Sequence, residues 1–112
     1  MLDHRIHRYD PRHGPLREVR DVLDLIGEAW SSSATWVVVP AGSLPDGFFT
    51  LSTGVAGEIA QKFVNYGVGL AIVGDIARHT EASSALAAWV LECNRGRHIA
   101  FLRDEAELTA RH

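Results

Sequence analysis

The side chains that could do chemistry lie at one predicted helix start and one predicted strand end. Ser52, Thr53 and Gly54 stand where the second long helix is expected to begin. Exposed backbone N–H groups and the positive end of the helix dipole could hold an anion or a phosphorylated side chain there. Asp75 follows Gly74 at the expected carboxyl end of a central strand, an edge where ligands collect in open parallel sheets. Both positions are therefore candidates for a small-anion or small-molecule site.

Each of these positions also has a purely structural explanation. A serine or threonine at a helix start is explained by capping, without any ligand. The Asp75 carboxylate could cap Ile76 and Ala77 or pair with Arg78. Arg95, in a small basic turn, could meet a phosphate or a carboxylate, but arginines at a helix end also complement the helix dipole. The sequence leaves both explanations open at every one of these sites.

Two other segments could bind a partner. Phe48 and Phe49 follow a loop rich in proline and glycine, and an extended segment cannot easily turn both rings inward. We therefore expect one of them to be exposed and to mark an interface. A polar helix face, spaced at i, i+3, i+4 and i+7, is either solvated, with an i,i+4 pair of Glu58 and Lys62, or binds a partner. Its members are Glu58, Gln61, Lys62 and Asn65.

Complete motifs for catalysis, metal binding or cofactor binding are missing. His4 and His7 lie three apart on a predicted strand, so their rings would face opposite sides and would not converge on a metal. Cys93 lies on the apolar face of its helix, which favours an inert thiol. Gly54 and Gly57 do not make a dinucleotide fingerprint, because the G-x-G start is absent. We assign no catalytic residue, metal or cofactor, and the balance favours a protein that is not an enzyme.

Composition restricts the class of protein. The chain has 112 residues, of which 46% are hydrophobic, enough for one core and therefore for a single domain spanning 1–112. Its formal net charge is −3, which argues against binding to the phosphates of nucleic acid. A single cysteine and the lack of a long apolar run favour the cytoplasm over secretion or a membrane.

Alternating strands and helices must position these side chains. The predicted strands are an edge strand at Leu2–Tyr9 and three apolar runs at Thr35–Val39, Leu70–Val73 and Ile99–Leu102. The predicted helices run from Leu16 to about Trp30, from about Thr53 to Tyr66, from Ser83 or Ser84 to Gly96, and onward from Asp104. The longest loop is expected at Pro40–Gly47.

This alternation predicts an α/β fold, a single layered domain with a mostly parallel four-stranded sheet and helices on both faces. Crossover connections make neighbouring strands parallel, and continuous apolar runs need cover on both sides. Several strand orders share this alternation. In all of them the core is expected to hold Val37, Val39, Ile72 and Phe101.

Two segments of the chain carry a resemblance to a known family: residues 48–66 read FFTLSTGVAGEIAQKFVNY and residues 70–75 read LAIVGD. The segments DLIG at 24–27 and ECNRGR at 92–97 extend the match. In these segments the chain resembles the bacterial domain-of-unknown-function 4180 family. The resemblance runs from about Gly14 onward and implies no assigned activity. In the family pattern, basic residues are expected at the position that Ser52 occupies here and again near Gly67 or Gly69. A cationic surface that the family members share would therefore be weaker in this chain. The family also has a strand that precedes the one at Leu2–Tyr9, and we expect this chain to lack it. The outer edge of the strand at Leu2–Tyr9 is therefore expected to be open.

The order of strands and helices is similar to that of the sulfate-transporter and anti-sigma-antagonist (STAS) domain. That resemblance implies a regulatory fold that binds partner proteins and that, in some members, is switched by phosphorylation at a helix N-terminus. Ser52 or Thr53 would be the modified position, although the Asp-x-Ser pattern is absent because Thr50 and Leu51 precede Ser52.

The first functional hypothesis is therefore a non-enzymatic, STAS-like regulatory or protein-interaction module. It would self-associate through the edge strand or the Phe48–Phe49 loop, or bind another protein. The alternative is a small-molecule or anion-binding domain that uses the helix start at Ser52–Gly54 together with Asp75.

Overall fold

A computed structural model describes residues 5–109 of the chain. Its strands and helices within that range alternate, in the order β1 Ile6–Arg8, α1 Val19–Ser31, β2 Trp36–Pro40, α2 Val55–Tyr66, β3 Gly69–Val73, α3 Ala77–Ala82, α4 Ser84–Arg95, β4 Ile99–Leu102 and α5 Ala106–Thr109. Short 3₁₀ turns occupy Pro11–His13, Ala41–Ser43 and Leu51–Thr53. The first part of the predicted edge strand, at 2–4, lies outside the described residues.

The four strands form one sheet in the order β1-β2-β3-β4, and every neighbouring pair is parallel. Val37 is in register with Leu70, and Leu70 with Ile99. The prediction of a parallel four-stranded α/β sheet is confirmed. Each crossover steps in the same direction across the sheet, and right-handed crossovers that step the same way place their helices on one face.

The main core lies on that face. Side chains alternate along each strand, so Val37, Val39, Ile72 and Phe101 all point to the same side and are buried, as predicted. They pack against buried residues of α1 and α2 and against partly buried residues of α4. The helix residues in this cluster include Leu25, Ile26, Ile59, Phe63, Trp89 and Val90.

The opposite face has a smaller apolar cluster, in which Leu108 of α5 packs against the sheet. The helices therefore cover both faces, as predicted, but unequally: α1, α2 and α4 share one face and the four-residue α5 lies on the other. The Trp36 ring lies over Gly69, where an added Cβ would come within 2.6 Å of ring carbons. Only glycine fits at this position of β3 without a shift of the ring.

The start of α1 is three residues later than the periodicity predicted. The Asp21 carboxylate accepts hydrogen bonds from the backbone N–H groups of Arg17 (2.9 Å) and Glu18 (3.2 Å). These bonds turn the chain just before Val19, the first helical residue. Leu16 keeps its predicted buried position without being helical.

The start of α2 also differs from its prediction. Gly54 has a φ of 78°, in the left-handed region, and separates the 3₁₀ turn at Leu51–Thr53 from the helix, which begins at Val55 rather than Thr53. The end of α2 is confirmed, because Gly67 is left-handed, with a φ of 68°, and its N–H donates to the carbonyl oxygen of Val64.

Helix α3, between β3 and α4, was missed by the sequence analysis. Its six residues show no apolar periodicity, and the Asp75 carboxylate defines its start by accepting a hydrogen bond from the Ala77 N–H at 2.9 Å. The predicted cap of α4 is confirmed at Ser83, whose hydroxyl accepts from the Leu86 N–H at 3.1 Å.

Side-chain hydrogen bonds involve both edge strands of the described sheet. At β4, the outward N–H of Phe101 donates to the Asn94 side-chain oxygen at 2.7 Å. At the other edge, Arg8 of β1 donates from Nε to both carboxylate oxygens of Glu105, at 2.8 and 2.9 Å. This pair ties β1 to the start of α5.

Candidate functional site

The predicted anion site at the start of α2 is a closed turn. Ser52 is exposed within the 3₁₀ turn. The Thr53 hydroxyl lies 2.8 Å from the carbonyl oxygens of both Gly47 and Thr50, and it accepts a hydrogen bond from the Val55 N–H at 3.2 Å. Thr53 therefore stabilises the turn before α2, while the N-cap residue of the helix is Gly54, which has no side chain to cap it. An anion-binding role for Ser52–Gly54 stays a prediction.

Asp75 lies at the carboxyl end of the sheet, beside a cleft of about 240 Å³. We call this the β3–β4 cleft. Asp75 is exposed, and its Oδ1 accepts the N–H of Ala77, so the capping explanation describes one of its two carboxylate oxygens. The residues that line the cleft are Gly74, Asp75, Ile76, Ala77, Thr80, Val90, Phe101, Leu102 and Arg103.

The other predicted ligand residues are not brought to this cleft. Arg95 lies at the end of α4 and donates from Nη1 to Glu92 at 3.2 Å. The segment Ser52–Gly54 is absent from the lining of the β3–β4 cleft. The predicted combination of the α2 start with Asp75 therefore has no shared cleft lining to support it, and it stays a prediction. Arg103 and Thr80, which do line the cleft, were not identified from the sequence.

The two phenylalanines differ in how far they are buried. Phe48 is only 1% exposed, with its ring near those of Trp89 and Phe101. Phe49 is partly buried and stacks on the His79 ring, with centroids 4.2 Å apart and planes 7° from parallel. Phe48 is thus a core residue that offers no surface to a partner. The chain turns at 46–49 instead of being extended, and Phe49 keeps part of its surface exposed, so a partner-binding role for Phe49 stays a prediction.

The polar face of α2 is present as predicted. Glu58, Gln61 and Asn65 are exposed, and Lys62 is partly buried. Gln61 donates from its side-chain nitrogen to Asn65 at 2.8 Å. Among the ion pairs of residues 5–109, none joins Glu58 to Lys62, so the predicted i,i+4 pair is not formed. A partner-binding role for this face stays a prediction.

A more conspicuous apolar surface lies between α1 and α2. Trp30 is 61% exposed and Tyr66 is 46% exposed. Their rings meet edge to face, with centroids 6.1 Å apart, and the Trp30 indole N–H donates to the Tyr66 carbonyl oxygen at 3.2 Å. They border a groove of about 380 Å³, here called the α1 groove, which is lined by Leu23, Ile26, Gly27, Trp30, Ser31 and Tyr66.

Carboxylates line the other side of the α1 groove. Asp24 and Glu28, one helical turn apart, border a shallow depression that shares Leu23, Gly27 and Ser31 with the groove. Glu28 is 3.1 Å from His7, whereas Asp24 forms no ion pair within the described part of the chain. The groove therefore has an aromatic side and an acidic side.

Potential catalytic and metal-binding groups are sparse. Burial, with a smaller contribution from Glu92, raises the pKa of the half-buried Cys93 thiol to about 11, so the thiol is protonated at neutral pH. In the stretch 5–109, no three His, Cys, Asp or Glu side chains are arranged to hold a metal ion. His7 contacts Glu28, and His4 lies outside the described residues.

None of the helices formed by the described residues is long and apolar enough to cross a membrane.

Comparison with known proteins identifies a family. A family model described as "Domain of unknown function (DUF4180)" matches residues 2–112, nearly the whole chain. No curated protein and no solved structure matches the chain. The match agrees with the resemblance in segments 48–66 and 70–75, while the similarity to the STAS domain has no solved structure to support it.

Proposed function

Since this chain belongs to the DUF4180 family, whose description assigns no activity, we propose from its own surface that it is a non-enzymatic protein-interaction module. Its α1 groove would receive an amphipathic helical segment of a partner, with basic residues along one side of that segment. The observation that carries this proposal is the 61% exposure of Trp30 beside Tyr66.

The apolar side of the groove suits an anchor residue. Large exposed aromatic side chains that lie together are typical of binding surfaces, where tryptophan and tyrosine contribute much of the affinity. The Trp30 ring is already held by its hydrogen bond to Tyr66 and by the edge-to-face contact. The Trp30 side chain would therefore lose little rotamer entropy when a partner binds to it.

The shape of the groove suits a helix. Leu23, Gly27 and Ser31 follow one another at i, i+4 and i+8 along α1, which places them in one row. An added Cβ at Gly27 would meet no atom within 4 Å, so the middle of this row is open space. A second helix could approach the α1 backbone closely at Gly27. Its apolar residues, spaced at i, i+3 or i+4, and i+7, would lie along the groove, with one of them in contact with Trp30.

The charge pattern selects a basic partner over a second copy of this chain. Asp24 and Glu28 lie on one side of the groove, at a spacing that lysines or arginines one turn apart on a partner helix would match. In an antiparallel pairing of α1 with α1 of a second copy, a twofold axis would keep the acidic sides of both copies together. Like charges would then oppose that dimer.

The regulatory aspect of the proposal follows the STAS-like order of strands and helices, which is an analogy of fold. We keep the cytoplasm as the proposed compartment, because the chain has a single cysteine. Self-association through the edge strand β1 is a separate, untested prediction.

The test is a selection from displayed helical peptides that share apolar positions but vary in charge. We expect enrichment of peptides with basic residues on one side. Trp30→Ala should weaken the binding of an enriched peptide by about 30-fold, because truncation of a central aromatic anchor costs about 2 kcal/mol. Leu91→Ala is the matched control, because Leu91 is 54% exposed on α4, away from the groove, and its loss should leave binding unchanged.

Two results would overturn the proposal. One is equal enrichment on the Trp30→Ala variant. The other is a molecular mass that rises with protein concentration in the absence of peptide and no longer rises in Trp30→Ala, because a second copy of the chain would then occupy the groove. A loss of preference for basic peptides in Asp24→Asn/Glu28→Gln, with the fold retained, would support the assigned role of the carboxylates.

A further inference from the structure

We infer that the β3–β4 cleft binds a small zwitterion of the free amino-acid type, with the ligand carboxylate on Arg103, the ligand ammonium on Asp75 and an apolar side chain between them. This site is separate from the α1 groove and does not depend on the interaction role proposed above.

The strand register explains why the cleft forms. Val73 and Leu102 are paired neighbours, and the Gly74 N–H donates to the Leu102 carbonyl oxygen at 2.9 Å. The two chains therefore leave the sheet side by side, and the residues that follow, Asp75 and Arg103, come from adjacent strands. The carboxyl edge of a parallel sheet is the usual position of ligand sites in such folds.

The interior of the cleft is apolar. Arg103 is the first residue after β4, and it lines the cleft together with Phe101 of that strand. The apolar side chains in this lining include Phe101 of β4, Val90 of α4 and Ile76. The volume of about 240 Å³ is below the ~300–1,000 Å³ typical of sites for drug-sized ligands. A ligand with few heavy atoms and a short apolar group fits this space.

The charges at the mouth are balanced, which decides the class of ligand. Asp75 and Arg103 are the charged side chains among the described lining residues, one of each sign. Neither forms an ion pair within residues 5–109. A phosphate would be attracted by Arg103 but repelled by Asp75. A simple cation would be attracted by Asp75 but repelled by Arg103. A molecule that carries both charges satisfies both groups.

The remaining polar groups leave room for the ammonium. The N–H of Ala77 occupies Oδ1 of Asp75, at 2.9 Å, which leaves the other carboxylate oxygen for a ligand. The Thr80 hydroxyl donates to the Ala77 carbonyl oxygen at 3.2 Å, so its lone pairs can accept a second hydrogen bond. Asp75 and Thr80 thus offer acceptor oxygens, and Arg103 offers donors.

Thermal unfolding in the presence of each of the twenty amino acids tests this inference. We expect one or more small apolar amino acids at millimolar concentration to raise Tm, in proportion to ln(1 + [L]/Kd). Two analogues of leucine, the amine without the carboxylate and the carboxylic acid without the amine, should raise it much less. Calorimetric titration of the active amino acid then gives its Kd.

Variants separate the two contacts. Arg103→Gln and Asp75→Asn should each weaken binding at least about tenfold, since each removes one charge-assisted contact. Asp75→Asn keeps an oxygen that can accept the Ala77 N–H, so α3 should retain its start. Arg97→Gln, an exposed arginine before β4, is the matched control, and binding should be unchanged in it and in Trp30→Ala.

Three outcomes would overturn the inference: no rise in Tm with any amino acid, a rise that survives both charge-removing variants, or a rise with inorganic phosphate that Arg103→Gln abolishes. The last would assign the cleft to simple anions. Each of these leaves the peptide selection at the α1 groove unaffected, so the two proposals fail separately.

Discussion

The Thr53 hydroxyl makes three local contacts, while its neighbour Ser52 has an exposed side chain in the same turn. A phosphoryl group on Thr53 would displace the contacts to Gly47 and Thr50 that close the loop. Ser52 could carry the same group without that loss. The two candidate phosphorylation positions therefore differ in what modification would do to the start of α2.

A pair of substitutions measures this difference. Thr53→Val keeps the shape of the side chain but removes the hydroxyl, so it should lower the free energy of unfolding by about 1–2 kcal/mol. Ser52→Ala should change the free energy of unfolding by less than about 0.5 kcal/mol, because the substitution removes an exposed hydroxyl that does not make the contacts of Thr53. Urea denaturation of both variants checks the prediction. Equal losses would show that the Thr53 contacts contribute little.

Local sequence was informative for residues whose role depends on their neighbours in the chain. The caps at Ser83 and Gly67 were predicted because capping needs only a suitable residue next to a periodic segment. Asp75 was identified because it follows the apolar run of β3 at the expected carboxyl end of the strand. Arg103, which lines the same cleft, was missed because its proximity depends on the pairing of β3 with β4, and Thr80 was missed together with helix α3.

Between elements, the bidentate pair of Arg8 and Glu105 connects β1 with the start of α5. The hydrogen bonds from Arg8, more than its charge, lower the pKa of the Glu105 carboxyl. A carboxyl whose pKa is lowered by folding adds stability above its unfolded pKa and loses that contribution as the pH falls through the lowered value. The connection between β1 and α5 should therefore weaken in acid.

Glu105→Gln tests this pH dependence. The variant should be less stable than the parent by roughly 0.5 kcal/mol at pH 7, the size expected for a surface pair with good geometry. The difference should shrink as the pH falls below about 4.5, the ordinary pKa of a glutamate, and disappear below the lowered pKa of Glu105. Glu81→Gln is the control, because Glu81 is exposed on α3 and is outside the ion pairs of residues 5–109. A difference that persists in acid would point to packing instead.

Element boundaries were predictable where the signal was local. Strand β4 has its predicted bounds, Ile99–Leu102, since it is a short apolar run between polar residues. Helix α3 was missed because its residues carry no apolar stripe, and α1 began late because Asp21 caps the preceding N–H groups. The α1 groove was missed because Trp30 and Tyr66 are 36 residues apart in sequence.

Across the whole molecule, the two faces of the sheet are packed differently. Three helices cover the first face, whereas on the second the Trp36 ring lies against Gly69 and Leu108 packs nearby. The alternation of strands and helices predicted parallel strands but left their order open, so this asymmetry could not be foreseen. It follows from the sequential strand order, which directs each crossover to the same side.

Gly69→Ala tests the packing of the second face. Its Cβ would lie 2.6 Å from the Trp36 ring, so the ring must move, and the free energy of unfolding should fall by about 1–3 kcal/mol. The near-ultraviolet dichroism of the tryptophans should change with it. Gly57→Ala is the opposite case: an added Cβ meets nothing within 4 Å in the first turn of α2, so this variant should lose no stability and gain at most about 0.5–1 kcal/mol. An unchanged stability of Gly69→Ala would contradict the packing described.

The sequential strand order has a consequence for synthesis on the ribosome. Each strand pairs with the one that precedes it, so a nascent chain released through β3 already contains three strands that are neighbours in the finished sheet. Within the sheet of residues 5–109, no strand has to wait for a distant segment or be inserted between two that have already paired. Vectorial growth from the amino end can therefore build the sheet one strand at a time, with β4 and its α5 cover added last.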